Sequence, residues 1–262
     1  MPEAKGKAMK IALIGYGKMG REVERVAVQR GHTISGRIDP EGLDANQQLI
    51  SVSALGGADV CIEFTSPGAV LENLRLLAGL KTPVVVGTTG WYQHLTEVEK
   101  LVRDANIGLV YAPNFSLGVN LFYQIVGKAA ELIQPFKEYD VSLIETHHRQ
   151  KVDSPSGTAK KLSEILHTKF PRKKRIVTDS LNRAIDEDEL HVVSLRTGHV
   201  PGVHSVIFDS SADTIELTHT VRSRGGFASG AVLAAEWVRD RKGLFTFEQV
   251  LTEMLGARVV PK

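Results

Sequence analysis

The chain of 262 residues has one cysteine, Cys61, so no internal disulfide can form. Cys61 lies in the apolar run Val60-Cys61-Ile62, which reads as a buried strand and makes it a small core residue. No window approaches the ~20 apolar residues of a membrane-spanning helix. The formal charge is only +2, too small to argue for nucleic acid or an anionic membrane as a partner. Internal repeats, low-complexity segments, a helix-turn-helix pattern and a basic patch are all missing. Residues 1–10 are polar with several lysines, and the apolar run 11–14 that follows is far too short for a secretory core, so a cytoplasmic location is expected. Apolar residues make up 42% of the chain and charged residues 24%. That suffices for a core without a disulfide or metal to hold it.

Over the first half, short apolar runs alternate with amphipathic stretches. Strands are expected at residues 10–14, 32–38, 58–64, 83–86 and 106–111. Helices are expected at 19–30, where Val23, Val26 and Ala27 share a face and Gly31 closes the end, at 67–80 with Pro67 in the first turn, and at 92–104. This alternation predicts a parallel sheet with crossover helices. After Pro113 the pattern changes. A long helix is predicted over 116–133, a strand over 138–145 and a helix over 156–168, with a basic loop at 169–175. Three strand-like runs follow at 191–195, 203–208 and 214–221, joined by short turns, as in an antiparallel or mixed sheet. Helices at 228–239 and 246–255 end the chain.

Gly15-Tyr16-Gly17-Lys18-Met19-Gly20 is a G-x-G-x-x-G motif between a predicted strand and a predicted helix, the context the motif requires. Gly15 permits the tight turn, Gly17 lets backbone approach a pyrophosphate, and Gly20 lets helix pack on strand. The helix N-terminus would hold the pyrophosphate. Asp39, about twenty residues on, suits the ribose diol of NAD, while Lys18 and Arg37 could meet a 2′-phosphate. NADH is the expected cofactor, with NADPH tolerated. Phe64-Thr-Ser-Pro67, Gly87-Thr88-Thr89-Gly90 and Ala112-Pro113-Asn114-Phe115-Ser116 each follow a predicted strand, where open parallel sheets bind ligands.

The densest cluster of reactive side chains is Glu145-Thr-His147-His148-Arg-Gln-Lys151-Val-Asp153-Ser-Pro-Ser156-Gly157-Thr158. A helical turn would put His147 and Lys151 on one face, and an extended loop could also converge them. Both residue types can supply the proton that a hydride transfer to a C=N bond requires. Grouped cations attract a dicarboxylate, and Ser156-Gly157-Thr158 opens a helix whose N–H groups suit a carboxylate. A zinc site is not expected, because the adjacent histidines show no clear third ligand.

Together these motifs resemble the dihydrodipicolinate reductase family, also called 4-hydroxy-tetrahydrodipicolinate reductases, of the diaminopimelate route to lysine. The likeness runs from Ile11 to about Trp237. It includes Asn114-Phe-Ser-x-Gly-Val-Asn120, Arg196-Thr-Gly198, Pro201-Gly202-x-His204 and residues 223–230. The glycine loop is one residue shorter than the common form, and Ser66 stands where many relatives carry a basic residue. The resemblance implies an α/β fold: an N-terminal Rossmann-type parallel sheet, plus a C-terminal α+β domain with a mixed open sheet. It places the dinucleotide domain in residues 1–115 and 227–262, and a substrate-binding and tetramerisation domain in 116–226. It implies NAD(P)H-dependent reduction of a cyclic imine dicarboxylate by a homotetramer. His147 would be proton donor and acceptor and Lys151 a proton donor. His148, Gly157 and Thr158 would bind substrate, and Gly87–Thr89 and Ala112–Phe115 would contact the cofactor. The rival readings are another two-domain Rossmann dehydrogenase acting on an amino-acid-derived substrate, and a non-catalytic NAD-binding sensor.

Overall fold

The computed structural model describes residues 7–42 and 44–256, which divide between two units, Met1–Leu117 with Arg224–Lys262, and Gly118–Ser223. The family resemblance implies crossings at 115/116 and 226/227.

In the first unit, strands β1 (Lys10–Ile14), β2 (Thr33–Ile38), β3 (Val60–Glu63), β4 (Val84–Val86), β5 (Gly108–Tyr111) and the late strand β11 (Gly243–Thr246) form one sheet. Its order is β11-β5-β4-β3-β1-β2, and every pairing is parallel. A parallel sheet is covered on both faces, which is why its strands are apolar on both sides. Ile11, Leu13, Ile62 and Val110 point into one core with helix α1 (Lys18–Gln29). Ala12, Ile14, Cys61 and Leu109 point into another, with helices α3 (Val70–Gly79) and α4 (Leu95–Ala105). Helix α7 (Gly225–Val238) also lies in the first core, packed on α1 and across β3, β4 and β5. A side chain at Gly230 would overlap the Phe115 carbonyl, so the close seat of α7 depends on that glycine. Helix α8 (Phe247–Met254) closes the unit with a capping box between Thr246 and Gln249.

The second unit has a five-stranded sheet of β6 (Asp140–His147), β7 (Arg175–Val177), β8 (Glu189–Arg196), β9 (Val203–Asp209) and β10 (Thr214–Thr220), in the order β10-β9-β6-β8-β7. β6–β8 and β7–β8 are parallel, while β6–β9 and β9–β10 are antiparallel, so the sheet is mixed. Helices α5 (Leu117–Ile133) and α6 (Gly157–Lys169) both pack on one face, against Val141, Leu143, Val192, Val206 and Phe208. The opposite face carries Ile144, Val193, Leu195 and Ile207, with Leu195 51% exposed. Among the described residues, no helix is long and apolar enough to cross a membrane.

Several local expectations change. The third helix begins at Val70 rather than Pro67, because residues 66–69 form a turn in which the Ser66 carbonyl accepts the N–H groups of Ala69 and Val70. The basic stretch 169–175 is not wholly a loop: Lys169 ends α6 and Arg175 opens β7. Lys173 within it is buried, with its ammonium paired to Asp140 and donating to the Glu187 carbonyl at 2.9 Å. The short helix α2 (Val52–Leu55) and strand β11 had no expectation attached to them. His147 ends strand β6, so it shares no helical turn with Lys151, which lies in the following loop.

Candidate active site

In the first unit, the turn after β1 brings backbone very close to backbone. A side chain at Gly15 would overlap the Phe64 carbonyl, and one at Gly20 would overlap the carbonyl of Gly15. Gly15 also has φ +88°, which favours glycine. Gly17 differs: it is exposed, and a Cβ there would meet nothing within 4 Å. It caps α1 without any side-chain bond, and no acidic residue lies in the first turn. The space beside Gly17 at this helix N-terminus is open and suited to an anion. Lys18 is exposed and Met19 half-buried beside them. These features fit a dinucleotide pyrophosphate.

Asp39, just past β2, accepts the Tyr16 N–H at 2.7 Å and the Glu41 N–H at 3.0 Å. It is thereby fixed beside the loop, and each oxygen keeps a lone pair. Arg37 is held by Glu24, which also takes the Tyr16 hydroxyl. At the ends of β3 and β4, the Phe64 ring fills the space that a side chain at Gly87 would need. Thr65 N–H donates to the Thr88 hydroxyl at 2.8 Å, and Trp91 Nε1 donates to the Thr88 carbonyl at 2.8 Å. Thr89 is exposed. After β5, Ala112 is buried, Pro113 exposed, and Asn114 accepts the Ser116 N–H at 2.8 Å. The Phe115 ring is a core group, 5.0 Å from Phe247 and edge-on to Phe64.

In the second unit, the covered face of the sheet turns polar at one end. Along β6, Val141 and Leu143 give way to Glu145 and His147. Along β9, Phe208 and Val206 give way to His204, and along β8, Leu190 and Val192 give way to Ser194 and Arg196. Period-two alternation and strand register bring these groups together, with His147 opposite Arg196 and Glu145 opposite His204. Glu145 is fully buried, with one oxygen on His147 Nδ1. Its other oxygen accepts from Arg196 Nη2 at 2.8 Å and from the Ser156 N–H at 3.2 Å. His204 stands edge-on to His147, with centroids 5.2 Å apart and its Nε2 3.2 Å from the Ser156 hydroxyl.

The loop after β6 brings in the remaining groups. Lys151 Nζ lies 2.8 Å from Asp153, and the Asp153 carboxylate also takes the Gly157 N–H. Ser156 caps α6 by accepting the Ala159 N–H. Gly157 is exposed, Thr158 lies within hydrogen-bonding reach of Tyr123, and His148 has a buried Nδ1 with no protein partner among the described residues.

The charges follow from these contacts. Burial pulls the His147 imidazole below its ordinary value, Glu145 partly opposes this, and Lys151 and Arg196 add to it. Burial alone would raise the Glu145 carboxyl, but the neighbouring Ser194 hydroxyl, Arg196 and His147 hold it below the ordinary range. The result is an ionised carboxylate beside a neutral imidazole, close to an ammonium and a helix N-terminus. Such a set can move a proton and hold a carboxylate. Among the described residues, Glu145, His147 and His204 also bring possible ligand atoms within 4.8 Å of one another. The Arg196 guanidinium on Glu145 is a cation already paired there.

The sequence reading named His147, His148, Lys151, Gly157 and Thr158. Ser156 enters there only as the opening of a carboxylate-binding helix, and Glu145, Arg196 and His204 carry no role, although all stand in the quoted motifs. The available signal was the two-residue alternation of β6, which carries Glu145 onto the same face as His147.

Comparisons with known proteins agree across nearly the whole chain. The family profile described as "Dihydrodipicolinate reductase, N-terminus" matches residues 9–115, and "Dihydrodipicolinate reductase, C-terminus" matches 118–251. A 4-hydroxy-tetrahydrodipicolinate reductase of Christiangramia forsetii is 40% identical over 94% of this chain and 99% of its own length. One from Archaeoglobus fulgidus is 38% identical over 93% and 100%. Among solved structures, the dipicolinate-bound dihydrodipicolinate reductase of Paenisporosarcina sp. TG-14 shares the fold, with TM-score 0.72 at 23% identity, covering 93% of this chain and 100% of that one.

Proposed function

The chain belongs to the dihydrodipicolinate reductase family, and from that membership we propose that it reduces 4-hydroxy-tetrahydrodipicolinate to tetrahydrodipicolinate with a nicotinamide cofactor. Overall, the 4-hydroxyl and a hydrogen of the adjacent ring carbon leave as water, and the double bond so formed takes up one hydride and one proton. When bound, the reduced nicotinamide supplies the hydride. The chain's own residues bind, orient and protonate. The first turn of α1, with Gly15, Tyr16, Gly17, Lys18, Met19 and Gly20, would hold the pyrophosphate. Asp39 would accept from the ribose diol. Phe64, Gly87–Thr89 and Ala112–Phe115 would border the nicotinamide portion, with Phe115 offering backbone because its ring is in the core.

In the second unit, His147 takes and gives the proton, and Lys151 supplies a second acidic group. His148, Gly157 and Thr158 hold a substrate carboxylate at the positive end of α6. The observation that carries this reading is the gathering of His147, Lys151 and the α6 N-terminus by one loop, with the imidazole kept neutral by burial. NADH is favoured over NADPH because Asp39 stands at the end of β2 while Arg37 is already neutralised by Glu24. We also infer a cytoplasmic homotetramer, assembled through the sheet face of the second unit that α5 and α6 leave uncovered.

A coupled assay with freshly generated substrate, following NADH and NADPH oxidation separately, tests the activity and the cofactor together. No oxidation of either removes the reading, and a hundredfold preference for NADPH removes Asp39 from its role. His147→Ala should lower kcat by roughly 10²–10⁴-fold with NADH affinity near wild type. Unchanged turnover would exclude His147 as the proton-transfer group.

A further inference from the structure

His147 has two ring nitrogens with different fates. Nδ1 is committed to Glu145, whereas Nε2 makes no protein hydrogen bond among the described residues. An ionised carboxylate only accepts hydrogen bonds, so the nitrogen facing it must carry a hydrogen. Glu145 is fully buried, and its second oxygen is taken by Arg196 and the Ser156 N–H, so it cannot swing away without leaving those donors unpaired. The same Arg196 Nη2 reaches the Asp153 carbonyl at 2.7 Å, and Arg196 Nε reaches the Lys151 carbonyl at 3.3 Å. One guanidinium thus ties the carboxylate on His147 to the backbone of the segment carrying Lys151.

We propose that Glu145 is the positioning residue for His147, holding it as the Nδ1–H tautomer so that the proton of the reaction passes through Nε2, with Arg196 fixing Glu145 and the Lys151 segment in one frame. This rests on the reading of His147 as the acid–base group. A tautomer fixed by the partner of the other ring nitrogen is a general property of histidine sites. Here it also has an electrostatic consequence. The groups facing the imidazole are Glu145 on β6, Arg196 on β8, His204 on β9 and Lys151 in the loop, with His219 on β10 beyond His204. Lys151 and Arg196 disfavour the imidazolium, and His204 is neutral near pH 7. Asp153 is paired with Lys151, and Glu145 is the anion in contact with the imidazole itself, so it partly offsets the burial and the two cations that disfavour a proton at Nε2.

The test begins with the wild-type, NADH-bound enzyme labelled with ¹⁵N-histidine. At a pH where His147 is neutral, Nδ1 should be protonated and Nε2 bare. The opposite tautomer overturns the proposal without any variant being made. In Glu145→Gln, kcat should fall about 10²-fold, the scale of general acid–base catalysis, with KM changed by less than about threefold. The pH at which His147 titrates should move down, because the stabilising negative charge is gone. Glu145→Asp keeps the charge and should recover at least about tenfold of the lost turnover. Adding His147→Ala to Glu145→Gln should cost nothing beyond His147→Ala alone, since the two act as one unit. Wild-type kcat in Glu145→Gln, or an unmoved His147 titration, overturns the proposal. If Glu145→Gln does not fold, the wild-type tautomer and Glu145→Asp decide the matter. Failure of His147→Ala to slow turnover would sink the parent reading of His147, which these tautomer measurements do not depend on.

Discussion

His204 and Gly202 show how single residues near the His147 imidazole serve opposite ends. His204 is buried, with Nδ1 unpaired among the described residues, and burial drives its pKa down to about 4. In the unfolded chain the group titrates near its ordinary 6.5. Its contribution to stability is therefore intact above about pH 6.5 and is lost as pH falls toward 4, because only the unfolded state then takes up the proton. The loss should amount to a few kcal/mol at most. His204→Gln should flatten the fall in thermal midpoint between pH 7 and pH 4.5, and a curve parallel to wild type would clear His204 of that role. Gly202 acts by bulk. A Cβ there would lie 3.0 Å from His147 Nε2, and the imidazole cannot retreat while Glu145 holds Nδ1. Gly202→Ala should reduce kcat by roughly 10- to 100-fold, the scale seen when a reacting group is slightly misplaced. NADH binding, measured by fluorescence titration, should stay unchanged.

Among the elements, α1 offers a clean contrast between glycines of one motif. Gly17 faces open space, so Gly17→Ala should fold with a near-wild-type melting temperature. Its methyl would stand where a pyrophosphate approaches, and NADH affinity should drop at least about tenfold. Gly20→Ala should lower stability instead, by about 1–3 kcal/mol, as overpacking does. Calorimetry and cofactor titration on both variants separate the two effects, and equal behaviour would contradict the distinct roles. The legibility of elements followed the same logic of local against distant cause. The parallel sheet was readable because each strand is an apolar run of its own, and α1 because its apolar spacing and Gly31 are local signals. Strand β7 was obscured by its basic flank, whose Lys173 is neutralised by Asp140, more than thirty positions away in sequence. Strand β11 is four residues long and forms only by pairing with β5. At the candidate site, His147 and Lys151 were legible from residue type, but Arg196 and His204 join Glu145 through strand register, which no local spacing encodes.

For the whole molecule, the uncovered sheet face of the second unit governs the expected assembly. Leu195 is its most exposed large apolar residue, and a glutamate there would be costly to bury unpaired. Leu195→Glu should convert a tetramer into smaller species in sedimentation velocity, and a wild-type profile would show that the contact lies elsewhere. The first unit, for its part, is made of two stretches of chain separated by about a hundred residues. Strands β1 to β5 come from the earlier stretch, whereas α7, which lies across three of them, comes from the later one. On a ribosome adding ~5–20 residues per second, those strands wait several seconds for their cover. During that interval a greasy sheet surface is open to chaperones or to neighbouring nascent chains, while the interposed unit is made and completed first. Newly made protein should therefore be most prone to clumping before Val238, the end of α7, leaves the exit tunnel, whatever the stability of the finished enzyme.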